Sequence, residues 1–377
     1  MSSAAFIPPS TGPVAIPLPG GVLHLDVARS LRPLDELCAF AVRRNARRSF
    51  LIVSRVLGRH LPARPSAMRA AARELAALVP ADLPGPILVV GLAETAVCLG
   101  QSVHEELGRL GRAATFVHST RQEGDHPLLC RFDEPHSHAA SHLIYRPRGV
   151  DLAAVRSLVL VDDEVSTGTT LANLSAALAA ALPGVEQIAL ASLTDWSGGT
   201  GWLSRLARPA RSVSLLAGSL RWQAGPAPAE SEPAPPAAHA FGTMPDADFG
   251  RLGAAGPFAL PDPPPLGPGT MLRIVGTGEF TYPPFLLAER LEQEGHDVVV
   301  QAASRSPVRV GGPIASALRF RDNYGAGVPN YLYNAARGDG RRTIVCHETP
   351  PGSVDPALIA ALGAAALYFE GGRPCAR

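Results

Sequence analysis

Short apolar runs alternate with segments whose apolar positions recur at helical spacing along most of this chain. Runs at 50–53, 87–90, 114–117, 158–161, 188–193 and 213–216 read as buried strands. Segments 66–79, with Ser66 as N-cap, 94–110, with Val97, Val103, Leu107 and Leu110 on one face, and 169–182 read as helices. Strands that are apolar throughout and alternate with helices predict a parallel sheet covered on both faces. The pattern stops at 224–268, 45 residues with 12 prolines and almost no β-branched side chain, which reads as a semi-extended linker. It resumes with strands at 272–275, 298–300 and 343–346 and helices at 284–294 and 356–362. The predicted organisation is a flexible arm (1–20), an α/β domain (21–222), a Pro-rich linker (223–269) and a second, smaller α/β domain (270–377).

Composition narrows the chemistry. The 377 residues are 46% hydrophobic and 18% charged with a net charge of +1, a globular profile in which neither a polyanion nor a polycation is hidden. No apolar run reaches membrane-spanning length, and the N-terminus lacks the pattern of a signal peptide, so a cytoplasmic protein with no membrane partner is expected. Five scattered cysteines without a C-x-x-C predict free thiols. All 34 basic residues are arginine. A lysine Schiff base and the lysine-dependent phosphate loop are therefore excluded, and any phosphate must be held by guanidinium groups, backbone N–H groups or a metal.

The segment 158–170, LVLVDDEVSTGTT, carries the chemistry. A buried strand runs into Asp162 and Asp163, then into a turn of small hydroxylated residues that opens a helix. Such a turn presents several N–H groups at the positive end of the helix dipole, suited to a phosphate dianion. Ser166, Thr167, Thr169 and Thr170 add hydroxyl donors, and Gly168 permits close approach of the backbone. Two carboxylates beside a phosphate must face another part of the ligand, and a sugar diol is the natural partner. Glu164 is either part of the site or a solvated loop position. The plainer alternative is a capped helix after two solvated acids.

Three further segments accompany it. ILVVGLAETA (87–96) is another strand ending in a small-residue turn. Nine arginines and no acid lie between Arg43 and Arg73, with Arg55, Arg59 and His60 just after an apolar run. They form counter-charge for a polyanionic ligand or a basic surface; with Phe50 the only aromatic among them, nucleic-acid stacking is not expected. The polar stretch 119–142, with Arg121, Arg131, His136, His138 and His142, reads as a lid or binding loop. Its histidines could touch substrate, bind a metal or do neither. In the second domain, GTGEF (Gly276, Thr277, Gly278, Glu279, Phe280) and Ser304-Arg305-Ser306-Pro307 follow strands, placing small residues and one arginine where an anionic ligand could sit. Asp322, Asn323, Tyr324, Asn330 and Asn334 crowd a Gly-rich loop nearby.

Apolar strand, acid pair and S/T-G-x-T resemble the 5-phosphoribosyl-1-pyrophosphate (PRPP) motif of type I phosphoribosyltransferases. The resemblance implies that fold, with a flexible hood loop over a parallel sheet flanked by helices. It implies that Asp162 and Asp163 hold the ribose hydroxyls and that Glu164, Val165, Ser166, Thr167, Gly168, Thr169 and Thr170 form the 5′-phosphate loop. By the same resemblance Gly91, Leu92, Ala93, Glu94 and Thr95 form the pyrophosphate loop, aided by Arg55, Arg59 and His60, and 119–142 is the hood. The order of these segments, followed by SRSP in place of TRSP, is similar to orotate phosphoribosyltransferase-like enzymes fused to a C-terminal TRSP domain and found in tellurium-resistance (stress) gene clusters. That family implies Mg²⁺ held through PRPP rather than by protein ligands alone. It also implies a base-like acceptor, a homodimer, association with other stress-cluster enzymes and a nucleoside-like product. A PRPP- or nucleotide-sensing module without turnover, and a nucleotide-cleaving enzyme, are the alternatives.

Overall fold

In the computed structural model, residues 11–43, 49–134, 141–225, 241–245, 248–254 and 258–371 are described. The apolar runs meet in one seven-stranded sheet, ordered Gly12–Leu18, Gly21–Ser30, Ala210–Ala224, Gln187–Asp195, Ser157–Val165, Ile87–Gly91, Ala114–His118. The last five strands are mutually parallel. Alternation along the central strand explains the layers. Val159 and Val161 share a core with Ala71 and Leu75 of helix Pro65–Leu78 and Val103 of helix Val97–Arg109. Leu158 and Leu160 face the other way, onto Leu171, Leu174 and Leu178 of helix Thr169–Ala181.

A second sheet, ordered Asp297–Ala302, Met271–Gly276, Arg342–His347, Ala365–Tyr368, is parallel throughout. Its helix Tyr282–Gln293 packs on the first half, so that Tyr282, Phe285 and Leu291 belong to the same core as Leu75 and Val103. Arg69 ties the seam, its guanidinium donating to both oxygens of Glu289 and to Glu105 at 2.8 Å. The two halves therefore share a dry core, and their strand ends are fixed relative to each other. Among the described residues, no helix is long and apolar enough to cross a membrane.

Several expectations are corrected. From residue 12 the predicted arm is ordered: Gly12–Leu18 and Gly21–Ser30 form a hairpin that extends the sheet, with alternating half-buried side chains on the edge strand. Of the predicted linker, Phe249, Arg251, Leu252 and Phe258 are buried. Proline and alanine carry no core of their own, yet Met244, Phe249, Leu252, Ala254 and Phe258 pack the described part of the segment onto cores built elsewhere. Run 50–53 forms Phe50–Ser54, which pairs antiparallel with Cys38–Val42 outside the main sheet. Ser66 is not a cap: Pro65 opens the helix, and Ser66 donates its backbone N–H and its hydroxyl to Glu292 at 2.8 and 3.0 Å. Within the 119–142 stretch, Gln122–Glu123 and Leu128–Asp133 are strands, the second antiparallel to Ser141–Tyr145.

Candidate active site

The central strand continues past its apolar run to Val165, so Asp162, Asp163 and Glu164 stand on its carboxyl end, where open α/β sheets bind ligands. Residues 166–168 then turn into helix Thr169–Ala181. Gly168 caps that helix with φ +72°, a left-handed conformation that glycine adopts without strain. The Thr167 and Thr169 hydroxyls lie 3.0 Å apart at the mouth of the turn. Beneath it lies Trp202, held by its indole N–H on Ser197 Oγ at 3.0 Å. A Cβ on Gly168 would come within 2.1 Å of that ring. Gly168→Ala is therefore expected to cost about 1–3 kcal/mol of stability and to deform the turn. Thermal melts check this; an unaltered melt would show that the turn has slack.

The turn at 91–96 meets this loop from the adjacent strand. Thr95 Oγ1 donates to Asp163 Oδ1 at 2.7 Å. The Ala93 N–H donates to Ser119 Oγ at 2.9 Å, and Ser119 Oγ lies 3.1 Å from His142 Nδ1. His142 Nε2 lies 3.1 Å from Glu134 Oε2, which also accepts from Arg121 at 3.0 Å. Hood and turn are thus hydrogen-bonded into one support.

Together these elements enclose a cleft of about 260 Å³. It is lined by the motif residues Asp162, Asp163, Glu164, Val165, Ser166, Thr167, Gly168, Thr169 and Thr170, by Leu92, Ala93, Glu94 and Thr95, and by His60 and Arg121. Ser304, Arg305 and Ser306 line the same cleft, so this part of the expected second-domain site joins the motif residues. Burial, reinforced by the neighbouring charges of Asp163 and Glu134, pushes the Asp162 carboxyl well above its ordinary range. Burial, then the cations Arg59 and Arg43, push His60 down to about 3, so its imidazole is neutral at physiological pH.

Other expected residues lie elsewhere. Arg55 is exposed, and its guanidinium approaches the Cys38 carbonyl at 3.4 Å rather than the cleft. Arg59 is buried with its guanidinium on three carbonyls, those of Gly278 (2.9 Å), Ala303 and Glu94, so it clamps the halves rather than holding pyrophosphate. Arg131 is exposed, 4.0 Å from Glu123. Gly91 lies beneath the turn, where a Cβ would press on Ala96 O at 3.0 Å, and His142 is fully buried behind it. His136 and His138 fall outside the described residues. Among the described residues, no three His, Cys, Asp or Glu side chains gather as a metal site, and Cys38, Cys98, Cys130 and Cys346 are free.

In the second half, Gly276 is pinned by close backbone, since a Cβ there would meet Phe280 O at 2.3 Å. Thr277 O accepts from Tyr324 OH at 3.1 Å, Thr277 Oγ1 accepts from Asn323 at 3.3 Å, and Glu279 receives Thr120 Oγ1 and the Arg121 N–H at 2.5 and 2.6 Å. Asn330 Nδ2 donates to Asp322 Oδ1 at 3.2 Å. These residues build the junction and do not line the cleft.

Residues that pattern alone passed over complete the lining. Arg43 reaches the cleft where Arg55 and Arg59 do not, and Leu51, Ile52, Val328, Pro329 and Tyr331 give it an apolar wall. Arg43 stands at the end of a strand leading to the cleft, a signal that a count of arginines does not carry. Trp202 and Glu134 had no local signal.

The chain matches family models twice: "Phosphoribosyl transferase" over residues 37–219, and "TRSP domain C terminus to PRTase_2" over 268–362. No curated protein matches it. Similar solved structures include adenine phosphoribosyltransferase from Rhodothermus marinus, 17% identical, covering 48% of this chain and 94% of that one with a TM-score of 0.33. The Giardia lamblia adenine enzyme complexed with 9-deazaadenine is 18% identical over 49% and 97% of the two chains (TM-score 0.33). Orotate phosphoribosyltransferase from Aeropyrum pernix is 20% identical over 44% and 79% (TM-score 0.27). The two family matches follow one another along the chain as the two sheets do, and the protein belongs to the phosphoribosyltransferases that carry a TRSP domain at their C-terminus.

Proposed function

We propose that this protein moves the 5-phosphoribosyl group of PRPP to a ring nitrogen of a base-like acceptor, releasing pyrophosphate. The observation that carries the reading is the shared cleft of the acid pair, the 166–170 loop and the 92–95 turn. Backbone N–H groups at the start of helix Thr169–Ala181 receive the 5′-phosphate at the positive end of the dipole. Asp162 and Asp163 accept hydrogen bonds from the 2′- and 3′-hydroxyls and place negative charge near C1′ as it gains oxocarbenium character. The C1′–O bond to pyrophosphate breaks, a C1′–N bond forms, and the acceptor nitrogen gives up its proton. The hood ribbon excludes water that would otherwise capture C1′.

Among the described residues no three His, Cys, Asp or Glu side chains gather to hold a metal by themselves, so the fit to a divalent cation rests on the carboxylate oxygens that Asp162 and Asp163 present in the cleft beside those of the donor. Mg²⁺, held chiefly by PRPP oxygens, would be reached by Asp162 and Asp163 and would supply charge neutralisation on the departing pyrophosphate.

The test is pyrophosphate release from PRPP and Mg²⁺ across a panel of nitrogenous bases. Release that depends on one class of acceptor is expected. PRPP binding without release across the whole panel would favour the sensing alternative instead.

A further inference from the structure

Resting on the transferase reading above, we propose that the TRSP domain is a working wall of the cleft, with Arg305 and Ser306 holding the pyrophosphate end of the donor. Two contacts fix the 304–307 loop to the 92–95 turn. The Arg59 guanidinium bridges the carbonyls of Ala303 and Glu94, and Glu94 Oε2 accepts the Arg305 backbone N–H at 3.3 Å.

The Arg305 guanidinium is 10% exposed, with Nη2 3.8 Å from Asp322 Oδ1. Asp322 is itself held by the N–H groups of Tyr324 and Ala326 at 3.1 and 2.8 Å, so it orients the guanidinium without following it. That leaves Arg305 Nη1 buried with no hydrogen-bond partner, and Ser306 Oγ is in the same condition. Buried polar atoms of folded proteins are nearly always paired, so two unmatched donors on consecutive residues that line the cleft call for a ligand with acceptor oxygens.

The donor's diphosphate is that ligand, because the turn it would occupy has no cation of its own. The chain has no lysine, GLAETA holds no arginine, Arg59 is engaged on carbonyls, Arg55 is exposed away from the cleft, and Arg121 already meets Glu134 at 3.0 Å. Arg305 adds its positive charge to that of Arg43 from the other half of the chain. The Glu94 carboxylate, which would repel a phosphate, is partly offset by Arg59 at 4.0 Å. Fusion of the two domains then serves the donor site directly.

Calorimetry on the full chain with Mg²⁺ separates this inference from the reading it rests on. Pyrophosphate and ribose 5-phosphate are titrated separately into the parent protein, Arg305→Gln, Ser306→Ala and Arg305→Lys. Arg305→Gln is expected to weaken pyrophosphate about 10- to 100-fold and Ser306→Ala about 3- to 10-fold, each leaving ribose 5-phosphate within about twofold. Arg305→Lys, which keeps the charge, regains part of the loss. Unchanged pyrophosphate affinity in Arg305→Gln, or no recovery with lysine, overturns the proposal while ribose 5-phosphate binding keeps the transferase reading standing. A parent protein that binds neither ligand overturns both.

Discussion

Replacing Asp162 and Asp163 together by asparagine is expected to lower pyrophosphate release from PRPP by about 10²–10⁴-fold without unfolding the protein. Each carboxylate is assigned one hydroxyl of the ribose, and charge-assisted hydrogen bonds contribute about 1.5–3 kcal/mol apiece. At about 1.4 kcal/mol per decade, losing two gives the stated range. Asparagine keeps the shape, and its amide oxygen still accepts from Thr95, which bonds Asp163 at 2.7 Å. The melting temperature is expected to hold or rise. Asp162 has a raised folded pKa, so its ionised form costs stability, a cost that grows as pH climbs from the unfolded pKa through the folded one and is fully present above it. Asparagine removes that cost. Activity falling while stability holds is the signature of a site under strain for function; a parallel loss of both would make the pair structural.

Replacing Arg251 by methionine is expected to destabilise the fold by about 3–5 kcal/mol at neutral pH, as for other buried ion pairs that lose one partner. Its guanidinium is 1% exposed and meets Glu348 at 2.6 and 2.9 Å and Glu279 at 3.3 Å. Tyr324 OH completes the cluster on Glu348 at 2.7 Å. Burial alone would raise the Glu279 pKa, but Arg251 and the hydrogen bonds from Thr120 and Arg121 outweigh it and hold the group below its ordinary range. A depressed folded pKa stabilises the protein above the unfolded pKa, and that contribution is lost as pH falls through the folded value. Without Arg251 the sign reverses for Glu279, because burial then favours its protonated form. The deficit of Arg251→Met against the parent should therefore shrink as melts are taken from about pH 8 to about pH 5. A deficit independent of pH would point to packing rather than charge.

Arg251 also shows where the sequence stops being informative. Its surroundings, FGRLGAAGP, have the composition of a linker, and composition averages over the single residue that matters. The partners Thr120, Glu279 and Glu348 lie far from it in the chain, and no local pattern links them. The parallel strands, by contrast, were legible because a strand buried on both faces must be apolar at every position, as 158–161 is. Strand Gly12–Leu18 escaped for the opposite reason: as a half-exposed edge with two prolines it carries no such run. The phosphate-loop candidates were legible because strand, acids and small-residue turn are contiguous. Counting arginines failed, since charge in the sequence does not say which guanidinium folds inward. Arg59 turned to backbone carbonyls, while Arg43 and Arg305 reached the cleft. That the SRSP loop faces the DDEVSTGTT loop follows from the docking of helix Tyr282–Gln293 on the first half, which no pattern within either domain encodes.

The central claim is that the acid pair and the hydroxylated turn together grip a phosphorylated pentose. A crystal structure of the full chain with ribose 5-phosphate tests it most directly. The phosphate is expected on the backbone N–H groups of 166–170, with the 2′- and 3′-hydroxyls on Asp162 and Asp163. A sugar phosphate seated elsewhere, or one whose hydroxyls turn away from both carboxylates, would contradict the account.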